Sequence, residues 1–146
     1  MNLGSIDFEE EGSIPEKFTC DGLNINPALF IDSVPEEAES LALMVEDPDA
    51  PNGVWTHWLV WNIPPETTDI DQSGVPEGAV EGINSSGGEG YQGPCPPSGV
   101  HHYIFHLYAL DTTIDLDNQS GRDDFMAAAE GHIIAEAELI GTYGSN

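Results

Sequence analysis

Residues 90–111 read GYQGPCPPSGVHHYIFHLYALD. Up to Gly99 the stretch is punctuated by Gly90, Gly93 and Gly99 and by Pro94, Pro96 and Pro97, a composition that favours a stiff, irregular loop. From His101 it turns aromatic and aliphatic, and His101 to Leu110 is the clearest strand of the chain. Side chains alternate along a strand. His101 and Tyr103 therefore share one face, and His102, Ile104, His106 and Tyr108 share the other.

Upstream, Phe18 to Cys20, Ala28 to Asp32 and Leu41 to Glu46 are expected as strands. The third ends at Asp47-Pro48, because proline cannot pair. Asp49 to Gly53 is a loop by composition, and Thr56 to Ile63 is a further strand that stops at Pro64-Pro65. Residues 64–100 are rich in glycine and proline, apart from a short strand near Val80 to Asn84. A compact domain seldom carries so long an irregular stretch unless it builds a site.

Downstream, Arg122 to Glu130 is the one good helix candidate. Ser120 is its expected cap, Asp123 and Asp124 lie in its first turn, and Gly131 stops it. Ala135, Ala137 and Leu139 then alternate with Glu136 and Glu138, the pattern of a half-buried final strand. The architecture expected from these elements is mostly β, with packed sheets and one helix.

The 146 residues make one domain, 1–146, large enough to close a single core. Two Lys+Arg against 27 Asp+Glu give a formal charge of −25. Nothing here could neutralise phosphates along a groove, so no nucleic-acid partner is expected. Nor is peripheral contact with an anionic membrane, which needs clustered Lys and Arg. Hydrophobic residues are 39% of the chain and fall in short runs such as Leu41 to Val45, which argues for a folded domain with an acidic surface. Self-repulsion at this charge is tolerable near molar salt, where the Debye length is about 3 Å. The composition therefore points to a halophile with a salty cytoplasm.

The opening MNLGSIDFEEEG has neither a basic end nor an apolar core, and no apolar run approaches the roughly 20 residues that span a bilayer. A soluble, cytoplasmic protein is expected. Cys20 and Cys95 lack CxxC spacing and, in a reducing compartment, are expected as free thiols.

Three segments draw polar groups together. Asp47-Pro48-Asp49-Ala50-Pro51 sets two carboxylates on a backbone stiffened by two prolines, although solvated acids in a turn would look the same. In Trp55-Thr56-His57-Trp58, strand periodicity puts His57 with Leu59, Trp61 and Ile63, where a histidine is commonly a core residue. Tyr91 to Gly99 leads into His101-His102-Tyr103, and free N–H groups in such a loop can form an anion-binding nest. Together these describe a pocket with one or two imidazoles, a phenol, a carboxylate and a rigid Gly-Pro rim.

DPDAP at 47–51, His57-Trp58 and the GYQGPCPPSGVHHYIFHLYALD stretch resemble the phosphatidylethanolamine-binding proteins, and most closely their bacterial and archaeal branch, termed Raf-kinase-inhibitor-like. The likeness begins at Cys20-Asp21-Gly22 with Asn24 and Pro27, and runs to EGHIIAEAELIGTYG at 130–144. It implies a large antiparallel sheet packed on a smaller one, with one or two helices at the margin. It also implies a small pocket for phosphate, acetate or a phospholipid head group.

By motif, the resemblance makes Asp47 the pocket carboxylate, with Asp49 and Pro51 shaping the loop. His57 and His101 become the two imidazoles, Trp55 stands beside the first, and Tyr103 supplies the hydroxyl. Gly93, Cys95 and Pro96 form the rim. Two positions depart from the family pattern: His102 replaces a basic residue, and Ser85-Ser86 replaces Asp and an aromatic. The long C-terminal helix of animal members is absent, so their kinase-regulating contacts are not transferred.

The expected function is non-enzymatic and regulatory. The protein would bind a small phosphorylated or carboxylated ligand, or a protein partner bearing such a group, with no cofactor and no metal. Relatives of this branch suggest a homodimer. The alternatives are an inhibitor of a protease or kinase, or a weak hydrolase. A hydrolase would use Asp47, His57 and His101 as acid and base, with Cys95 as nucleophile or Tyr103 as donor. Asp47, Asp49, His57 and His101 could also share a divalent metal, though their spacing is no recognised motif.

Overall fold

A computed structural model describes residues 1–144. Nine strands and one α-helix follow in the order β1 (Asn2–Gly4), β2 (Gly12–Ser13), β3 (Leu29–Asp32), β4 (Ser40–Asp47), β5 (Trp55–Ile63), β6 (Asp69–Ile70), β7 (Val80–Glu81), β8 (Val100–Leu110), α1 (Arg122–Ala129) and β9 (Ile133–Gly144). β1-β3-β6 form a small sheet, and β2-β9-β8-β4-β5-β7 a large one. All pairings are antiparallel except β2 with β9.

The main core lies between the sheets. Leu3, Leu29, Ile31 and Ile70 of the small sheet meet Leu41, Leu43, Val45, Trp58, Val60, Phe105 and Leu107 of the large one. The far face of the large sheet carries Ala42, Met44, Leu59, Trp61, Tyr108 and Leu110, covered by Phe125 and Ala129 of the helix. Trp61 stacks on Phe125 with ring centroids 6.1 Å apart. β4 therefore buries both its faces, as its unbroken apolar run Leu41 to Val45 requires.

Two local expectations are corrected. Phe18 to Cys20 is not a strand. Glu16–Phe18 is a 3-10 turn in which Phe18 and Thr19 donate to the carbonyls of Pro15 and Glu16. Pro15 and Gly22 bracket a run too short to extend. The helix is capped at Gly121 rather than Ser120. The Ser120 carbonyl accepts from Ile83, and the Gly121 N–H donates to Asp124 at 3.3 Å.

The pairing of β4 with β5 slips by one residue at two places, between Leu41 and Leu43 and between Val45 and Glu46. Val45 faces Trp58, yet Glu46 faces Thr56, so His57 is an extra residue in a bulge. A bulge re-aims the side chain it carries. His57 leaves the face of Leu59 and Trp61 and turns toward Tyr103, with ring centroids 5.2 Å apart. The strict alternation expected for this strand fails at that point.

Candidate functional site

β4 ends on Asp47, β5 begins with Trp55 and carries His57, and β8 begins near His101 and Tyr103. These adjacent strands deliver their side chains to one cavity of about 220 Å³. Its walls contain Asp47, Pro51, Trp55, His57, Gly93, Cys95, Pro96, His101 and Tyr103, all singled out in the sequence. Ala50, Gln92 and Pro97 complete them.

Asp49 is not brought in. Its carboxylate lies outside the cavity, accepts the backbone N–H of His102 at 2.8 Å and pairs with the His102 Nδ1, also at 2.8 Å. It fastens the DPDAP loop to β8. Ser85 and Ser86 are also outside; Ser85 Oγ accepts from the Thr56 N–H at 2.7 Å.

His101 Nδ1 lies 2.6 Å from the Asp47 carboxylate, and both residues are buried. His57 Nδ1 lies 2.6 Å from the carbonyl of Gln92, whose N–H donates back to the His57 carbonyl at 2.9 Å. The Gln92 side chain accepts the Trp55 indole N–H at 2.9 Å. Gln92 thus holds two cavity residues in place, a role its position inside the GYQGPCPP segment could have signalled. Burial lowers the His57 imidazole from its ordinary value, opposed by the Gln92 carbonyl and by Asp47.

The Tyr103 phenol is pushed upward by burial and then by the charges of Asp47, Asp49 and Tyr143, which keeps it protonated. Its hydroxyl is fully buried and has no hydrogen-bond partner among the described residues. An unmet buried hydroxyl costs about 1–3 kcal/mol, and this one belongs to a residue on the cavity wall.

The rim is tied to the 18–24 loop. The Gly93 N–H donates to Asn24 Oδ1 at 2.8 Å, Tyr91 Oη to the Phe18 carbonyl at 2.7 Å, and the Cys20 N–H to the Pro94 carbonyl at 3.1 Å. A Cβ on Gly93 would run into the Phe18 carbonyl and Asn24. Here the free-thiol expectation is overturned. Cys20 and Cys95 form a disulfide, with Cα atoms 5.5 Å apart. Loop packing sets that distance, and no reasoning from compartment could supply it. The bond also removes Cys95 as a thiol nucleophile, and with it one support for a cytoplasmic location.

Among the described residues, no three His, Cys, Asp or Glu side chains are grouped to hold one ion. Asp49 faces outward to His102, so the four-residue metal set is not assembled. No helix of the described residues is long and apolar enough to cross a membrane.

The model of the phosphatidylethanolamine-binding protein family matches residues 4–144. The chain belongs to that family. Its relatives in it include the UPF0098 protein of Methanothermobacter thermautotrophicus, 53% identical with 98% of each chain covered. The UPF0098 protein PYRAB11530 of Pyrococcus abyssi is 46% identical, covering 93% of this chain and 81% of that one. Among solved structures, a phosphatidylethanolamine-binding protein homolog from Chlamydia trachomatis superposes with a TM-score of 0.95 at 41% identity, covering 99% of this chain and 97% of that one. E. coli YbcL, described as a new member of the mammalian family, gives 0.93 at 33% identity, with 99% and 98% covered. The two-sheet phosphatidylethanolamine-binding fold expected from the motifs is thus the fold of this chain.

Proposed function

We propose that the protein is a non-enzymatic, regulatory binding protein whose cavity takes a small oxyanion group: a phosphate, a carboxylate or a phospholipid head group. The guest is a free small molecule or the same group carried on a protein partner. The observation that carries this reading is the meeting of two imidazoles, His57 and His101, with Tyr103 on the walls of one cavity. Oxyanions present several acceptor oxygens in a compact group, which N–H and O–H donors on such walls can bind. Family membership supports a binding role. Titration with inorganic phosphate and with phosphoethanolamine in molar potassium chloride, followed by the His57 and His101 NMR signals, tests the proposal. The signals are expected to move; signals that stay fixed would remove it.

Hydrolysis has one observation in its favour, the Asp47–His101 pair, which could orient an imidazole base. It lacks a thiol, because Cys95 is bonded to Cys20. We place the protein in the salt-rich cytoplasm of a halophile on the strength of its charge of −25.

A further inference from the structure

The protons of the cavity follow from its hydrogen bonds. A carbonyl oxygen offers only lone pairs, so the His57 Nδ1, 2.6 Å from the Gln92 carbonyl, carries a hydrogen. The same holds for the His101 Nδ1, 2.6 Å from the Asp47 carboxylate. A neutral imidazole has one N–H. In each neutral ring Nε2 is therefore a bare acceptor.

No permanent cation offsets this. The two basic residues are engaged elsewhere, Lys17 with Gln72 and Arg122 with Glu46 on the far face of the sheet. A fully ionised oxyanion would meet two lone pairs and the charge of Asp47 beside neutral donors such as the Gln92 side-chain N–H. Such a set is poorly matched to a fully ionised group. It becomes complementary once Nε2 gains a hydrogen, because each imidazolium then donates to a ligand oxygen.

Resting on the oxyanion reading above, we propose that the cavity takes its phosphate group only together with protons, held between the ligand oxygens and Nε2 of His57 and His101. The step balances simply: a proton from solvent joins Nε2, or arrives on the ligand, and no covalent bond is made or broken. Around His57 stand Asp47 of β4, which favours protonation, and His101 and Tyr103 of β8. Around His101 stand Asp47, Tyr103 stacked at 6.4 Å, and Tyr143 opposite it on β9, itself bonded to Asp21. Asp49 is occupied by His102, and Cys95 does not titrate in its disulfide. Burial holds the His57 imidazole below its ordinary value, which favours the neutral ring in the absence of a ligand.

Calorimetry of the intact disulfide-bonded protein at about pH 8, in buffers of different ionisation heat, reads the proton count directly; at that pH free inorganic phosphate is mostly the dianion and the phosphodiester glycerophosphoethanolamine carries one ionised phosphate oxygen. Inorganic phosphate and glycerophosphoethanolamine serve as separate arms, and the arm that binds identifies free phosphate or a lipid head group as the source. In that arm we expect uptake of about one proton or more per ligand, and an affinity that falls about tenfold per pH unit for each proton. Side-chain 15N spectra of the free protein should show hydrogen on Nδ1 of both rings. His57→Asn keeps an amide hydrogen for the Gln92 carbonyl but cannot titrate, so uptake should fall by about one proton if that ring is a carrier. Binding without proton uptake, or Nε2–H rings in the free protein, overturns the proposal and leaves the oxyanion reading intact. No binding in either arm, from acidic to alkaline pH, ends both.

Discussion

His101 Nδ1 donates to the Asp47 carboxylate across 2.6 Å, joining residues 54 apart in the chain and buried together at the cavity wall. The bond links the end of β4 to the start of β8 and fixes the His101 ring at the cavity wall. Asp47→Ala would leave a buried N–H without its acceptor, at a cost of about 1–3 kcal/mol. We expect a lower midpoint of urea unfolding and weaker phosphate binding. Asp47→Asn, which can still accept through its amide oxygen, should lose less stability.

Cys20–Cys95 closes a loop across a sequence separation of 75. In the chain-entropy account a crosslink closing a loop of this length contributes about 4.5 kcal/mol. Denaturant titrations of native and dithiothreitol-reduced protein should differ by that amount. Cys20→Ser should match the reduced protein, and both should bind phosphate less tightly, because Cys95 forms part of the cavity wall.

Gly93 is packed against the 18–24 loop so closely that a methyl group would meet backbone as well as Asn24. Gly93→Ala should force the rim outward and cost about 1–3 kcal/mol, the range for overpacked sites. Thermal unfolding reads the first effect and phosphate titration the second. Retained stability with unchanged binding would show that the rim yields freely.

Acid should act in two stages. His57 is buried and lowered from the ordinary 6.5, so the unfolded chain takes that proton first. Its effect is nil above that pH, and stability falls as pH drops below it. Burial alone would raise the Glu46 carboxyl, but its contacts with His106 and Arg122 outweigh burial and hold it below 4.5. Its contribution is present above 4.5 and is lost as pH falls through the lowered value. Urea midpoints against pH in molar salt should show both limbs. His57→Asn should flatten the upper one and Glu46→Gln the lower.

A charge of −25 with two basic residues predicts strong salt dependence. Raising potassium chloride from about 0.1 M to about 1 M shortens the Debye length from roughly 10 Å to roughly 3 Å, which suppresses self-repulsion. The unfolding midpoint should climb steeply over that range. A flat response would remove the halophile proposal.

Much of the site is legible along the chain because its residues sit at strand ends beside proline. Asp47 precedes Pro48, and His101 and Tyr103 lie two apart on one strand. Strand alternation puts His57 on the opposite face because a period of two assumes an unbroken ladder, and the bulge exists only in the pairing of β5 with β4. The two-residue strands Gly12–Ser13 and Asp69–Ile70 have no period to detect. Gln92 acts through its carbonyl and side-chain amide on partners 35 and 37 residues away; the GYQGPCPP segment marks it as a candidate, but only the fold supplies those partners.

Backbone preference and alternation operate over a few residues, and they suffice for β8, for the end of β4, for α1 and for the exposed glutamates of β9. Contacts across the sheets decide everything that needs distant segments to meet. The Cys20–Cys95 bond, the turning of His57 toward Tyr103, the outward setting of Asp49 and the buried, unpartnered Tyr103 hydroxyl are of that kind. Each depends on strand register and loop packing, which arise only when the whole core closes.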